Sequence, residues 1–119
     1  MKQKERVEAF KAFKEAHEEA RVKIREIASE AQSIVAGLYK AEAEKEPKVN
    51  IVDALNIDLY YEQILITEYH LGRILKLVGN VTKNITEDEY SFAFQRMNDL
   101  RETAKGNLEK IKYLMSKHN

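Results

Sequence analysis

A single proline, Pro47, stands in a chain of 119 residues that holds only four glycines. Proline removes a backbone donor and glycine weakens helices, so a chain this poor in both, and rich in Glu, Lys, Ala, Leu and Ile, favours helix wherever nothing interrupts it. Two interruptions stand out. The first is "EKEPKVN", residues 44–50, where Pro47 blocks helix continuation and disfavours helical geometry at Glu46. Asn50 then reads as an N-cap, with Asp53 placed at the positive end of the helix that follows. The second is "GNVTKNITEDEY", residues 79–90. Thr86 with Glu89 spells a capping box, Ile85 and Tyr90 are spaced as a hydrophobic staple, and Glu87 and Asp88 load the first turn with negative charge.

These breaks predict helices over about residues 3–45, 51–79 and 87–117, within one domain spanning 1–119, and no strand. The first predicted helix carries a coiled-coil-like seam at alternating steps of three and four: Phe10, Phe13, His17, Ala20, Ile24, Ile27, Ala31, Ile34, Leu38 and Ala41. The third shows a similar row in Tyr90, Ala93, Met97, Leu100, Ala104, Ile111 and Leu114, widened by Phe94, Leu108 and Met115. The second has a broader apolar arc, from Leu59 and Leu77 through Ile74, Tyr60 and Val78 to Leu71, Ile64, Leu75 and Ile57, and so must touch both others. Short connections make successive helices antiparallel neighbours. The expected fold is all-α, an antiparallel three-helix bundle with a long N-terminal helix.

Composition narrows the function classes. Twenty basic and twenty acidic residues cancel, and they nearly cancel within residues 1–49, 50–80 and 81–119 taken separately, which argues against an electrostatic footprint for nucleic acid or an anionic membrane. Cysteine is absent, which removes disulfides, thiolate metal sites and cysteine nucleophiles. The charged N-terminus lacks the apolar stretch of a signal peptide, and no run is long and apolar enough to span a membrane, so a cytoplasmic location is expected.

The richest cluster of chemistry-bearing side chains is Glu62, Glu68 and His70. At about 100° per residue Glu62 and Glu68 lie about 120° apart and Glu68 and His70 about 160° apart, so they cannot converge on a metal or a proton from one helix. No cofactor, metal or catalytic residue is expected. The string "HLGRILK" from His70 resembles the phosphoacceptor region of histidine phosphotransfer domains, which are helical bundles of about this size. It departs from that pattern in placing Gly72 before Arg73, and His70 leans towards the core. His17, in the seam, is a polar residue of the kind that fixes register; folding the second helix back about residue 48 places it opposite residue 79.

Length carries the remaining expectation. A first helix of about 43 residues outruns a second of about 29, so its first turns project past the bundle and Val7, Phe10, Phe13, His17 and Ala20 are expected to form an interface. The expected function is a non-enzymatic protein–protein interaction module that self-associates through this overhang. The alternatives are an adaptor or inhibitor docking a different protein, a bundle binding a small ligand in a cavity lined by Tyr60, Tyr61 and Tyr69, or a phosphotransfer domain.

Overall fold

A computed structural model describes residues 2–82 and 84–118. Three helices account for nearly all of it: α1 (Gln3–Ala43), α2 (Ile51–Asn80) and α3 (Glu87–Ser116). They form the expected bundle, each packed against both others. Helix α1 runs unbroken through Gly37.

The breaks behave as their chemistry requires. Asn50 caps α2, its side-chain oxygen accepting from the Asp53 backbone N–H at 2.8 Å. The capping box is complete. Thr86 Oγ1 accepts from the Glu89 N–H and Glu89 Oε1 accepts from the Thr86 N–H, both at 3.1 Å. Each satisfies a donor that a helix start leaves without an intrahelical partner. Ile85 and Tyr90 are buried in the same core cluster. After α1, Lys45 takes a left-handed conformation (φ 61°), which lets the chain reverse just before Pro47.

The core follows the predicted stripes with a physically legible drift. In α1, Phe13, His17, Ala20, Ile24, Ile27, Ala31, Leu38 and Ala41 are buried, but Val35 replaces Ile34 and Ala28 joins the set. A helix of 3.6 residues per turn rotates away from a strict heptad by about 20° every seven residues, so a seam drawn with heptad spacing slides onto its neighbours. In α2 a narrower line is buried, Ile57, Ile64, Thr67, Leu71 and Val78. In α3 Asn107 fills the gap between Ala104 and Ile111, its amide donating to the Thr103 carbonyl at 2.8 Å.

The overhang does not exist. Phe13 is 0% exposed, with ring centroids 6.2 Å from both Tyr90 and Phe94, so it belongs to the chain's own core. The connection is not a simple hairpin about residue 48. Residues 44–50 fold back along α1, bringing Lys48 beside Ile34, Gly37 and Leu38, and α2 therefore starts further up the bundle. At the far end Thr82 lies alongside Gln3, Arg6, Val7 and Phe10. The long dimension of the molecule, 62 Å, is close to the roughly 60 Å that 41 residues of helix require.

Candidate interaction surface on α2

The polar side chains singled out by sequence are placed apart. Glu68 turns to α1, where Arg25 Nη1 donates to its carboxylate at 2.9 Å. Glu62 is exposed. His70 is half-buried and meets the Tyr69 ring edge-on, centroids 5.6 Å apart. No group of three or more His, Asp or Glu able to hold a metal ion occurs among the described residues.

His17 ties α1 to α2, at the level of Leu71 instead of residue 79. Its Nε2 lies 2.9 Å from the Leu71 carbonyl, and because a carbonyl only accepts, Nε2 carries the proton. The contact level is Leu71, two turns short of residue 79, for the same reason that Phe13 is covered. This polar tie within an apolar layer penalises any slip of α1 along α2, since a shifted register would leave a buried donor unpaired.

A second polar cluster closes the opposite end. Asp53 is buried, and its Oδ2 accepts from His118 Nε2 at 2.6 Å with Lys117 Nζ at 3.6 Å. The hydrogen bond from His118 holds the Asp53 carboxyl below its usual range, with Lys117 adding to the effect. The pair ties the end of α3 to the first turn of α2. Lys112 and Glu30 form a further ion pair between α3 and α1.

Of the five residues expected to form an interface, Phe13, His17 and Ala20 are buried in this core, Phe10 is half-buried, and Val7 alone is largely exposed, at 64%. The large apolar surface lies elsewhere. Helix α2 is apolar on nearly every side, and a bundle of three helices covers only one of them. Ile51 (78% exposed), Val52, Leu55 (63%), Leu59, Ile66, Tyr69 (70%) and Leu77 all remain open to solvent. At about 100° per residue they fall within one arc of about 100°, opposite Ile57, Ile64 and Leu71. At its C-terminal end the arc runs into an open groove of about 410 Å³ between α2 and α3, lined by Ile74, Leu77, Val81 and Ile85 and by the 73%-exposed Phe92.

Scattered apolar residues on a surface are ordinary, whereas many of them gathered on one side along the length of a helix mark a contact surface. The broad apolar arc of α2 was legible beforehand; that one edge of it, at Leu59 and Leu77, would stay outside the bundle was not. The residues that complete the stripe, Ile51, Val52, Leu55, Ile66 and Tyr69, were absent from that arc. The signal that finds them is the all-round apolarity of α2, which exceeds what two neighbours can cover.

The tyrosines proposed to line a cavity are dispersed. Tyr69 faces solvent, and Tyr60 lies beneath Lys110, whose Nζ is 5.2 Å from the ring centroid. No helix among the described residues is long and apolar enough to cross a membrane. No family model, curated protein or solved structure matches the chain at a significant level.

Proposed function

We propose that the chain is a non-catalytic, helical protein–protein interaction module that works through the outward face of α2. The observation that carries this reading is the exposed apolar stripe from Ile51 to Leu77, with Glu62 and Arg73 set within its arc, continued by the groove at Phe92. Its polar features fit the same role. Its buried polar groups tie helices together: His17 to the Leu71 carbonyl and Asp53 to His118. They hold register and close the end of the bundle, so the fold acts as a rigid mount for the α2 face. Self-association is favoured over docking to a different protein, on grounds that lie in the charge order of α2.

Replacing Leu55 and Leu59 together with Glu tests the module. Both side chains lie outside the buried core, and glutamate is a good helix former, so the thermal midpoint is expected to stay within about 3 °C of wild type. The native particle carrying the chain in extracts of cells that make it is expected to exceed one 13.8 kDa chain and to fall to that mass in the variant. A native mass that is the same for both proteins contradicts the proposal.

A further inference from the structure

Helix α2 carries charge in a definite order on its outward face and along one flank. Asp58 and Glu62 lie in its N-terminal half, Arg73 and Lys76 in its C-terminal half. The helix dipole does not account for this order, since its influence fades within the first and last turns and Asp58 and Glu62 lie further in. Glu62, Arg73 and Lys76 take part in no ion pair among the described residues. Asp58, half-buried on the side of α2 towards α1, accepts one hydrogen bond, from the Tyr39 hydroxyl at 2.8 Å.

The positions of these charges are symmetric. Glu62 and Arg73 are equidistant from a point between Thr67 and Glu68, and so are Ile66 and Tyr69. Asp58 and Lys76, and Leu59 and Leu77, are centred within half a residue of the same point. At about 100° per residue Glu62 and Arg73 fall about 20° apart on the helix, and Asp58 and Lys76 fall on one line along its flank. A parallel neighbour in register would set Glu62 against Glu62 and Arg73 against Arg73. An antiparallel neighbour centred on that point sets each acid against a base and each apolar residue against an apolar residue.

We infer that the occupant of this face is a second copy of the chain, its α2 laid antiparallel across the outward side of the first about a two-fold axis level with the Thr67–Glu68 peptide. Such an isologous contact makes every pairing twice, so Glu62 meets Arg73 of the second copy at two symmetric places and Asp58 meets Lys76 likewise. Ile66 and Tyr69 form the apolar centre. Leu59 and Leu77 flank it. The same register carries Leu55 of the second copy to the level of Asn80 and its Ile51 about one turn past the end of α2, beside the groove formed by Leu77, Val81 and Phe92. One symmetry operation therefore covers the stripe and the groove together.

The inference rests on the interaction-module reading, and charge reversal separates the two. The molar mass of the purified full-length chain is measured by light scattering across a concentration series for wild type, Glu62→Arg, Arg73→Glu and the double variant, with melting curves confirming the fold. Both side chains are exposed, so the fold is expected to persist. Wild type is expected to dimerise, and each single reversal to raise the dissociation constant by about 10- to 30-fold, because two symmetric attractions are lost and two repulsions created. The double variant, which exchanges the charges, is expected to return to within about threefold of wild type. A wild-type chain that stays monomeric overturns the self-pairing, while a native particle that shrinks on Leu55→Glu with Leu59→Glu would still uphold the module. A dimer indifferent to either single reversal, or not restored by the double, overturns the antiparallel pairing.

Discussion

Phe13→Ala is expected to cost about 3–5 kcal/mol of folding stability, measured as the shift in chemical-denaturant unfolding. Phe13 is wholly buried and forms the centre of an aromatic cluster. Phe94 meets it edge-on at 83°, Tyr90 is tilted at 53°, His17 lies at 6.0 Å and Phe10 at 6.4 Å, centroid to centroid. Truncation removes the buried ring and leaves a cavity between α1 and α3 that rigid helices cannot close. The same substitution on a projecting stripe would change stability by less than about 0.5 kcal/mol. A small effect would therefore return Phe13 to the surface and contradict the register described above.

Ile27→Asp is expected to cost about 4 kcal/mol or more. Ile27 lies at the middle of α1 within the core cluster, 5% exposed, where a carboxylate is cut off from water and burial favours its taking up a proton. Loss of cooperative melting at ambient temperature is the expected reading. Val22, on the same helix but 43% exposed, supplies the contrast, and Val22→Asp is expected to cost under about 1 kcal/mol, mostly helix propensity. Equal effects at the two positions would show that the seam of α1 is misplaced.

Local chemistry was legible in the sequence because it depends on residues a few positions apart. Pro47, Asn50 and the Thr86–Glu89 box set the helix ends to within two residues. The stripes in α1 and α3 named most of the core. Relative register was not legible, because it depends on where a connection goes. Counting residues about position 48 treats 44–50 as a symmetric turn, whereas the left-handed Lys45 and the chain beyond Pro47 fold back over Ile34 and Leu38. That shift brings α2 and the segment after it level with the first turns of α1 and closes Phe13 into the core.

The candidate surface was hidden for a related reason. Periodicity finds the buried side of a helix by contrast with a polar one, and α2 offers little contrast. Ile51, Leu55, Leu59, Ile66 and Leu77 look like core residues until the packing shows that Ile57, Ile64, Leu71 and Val78 already fill that role. The exposed N-terminal stripe expected from length is reduced to Val7, and the apolar surface in need of a partner moves to the second helix.

The central claim, that the outward face of α2 meets another protein surface, is tested most directly by a photo-crosslinking amino acid placed at Leu59 and, as a control, at Glu102, an exposed position on α3. With the full chain produced in its native cells, irradiation is expected to give a discrete adduct from position 59, of twice the chain's mass for the self-paired form, and none from position 102. No adduct at position 59, or the same adducts from both positions, would contradict the account.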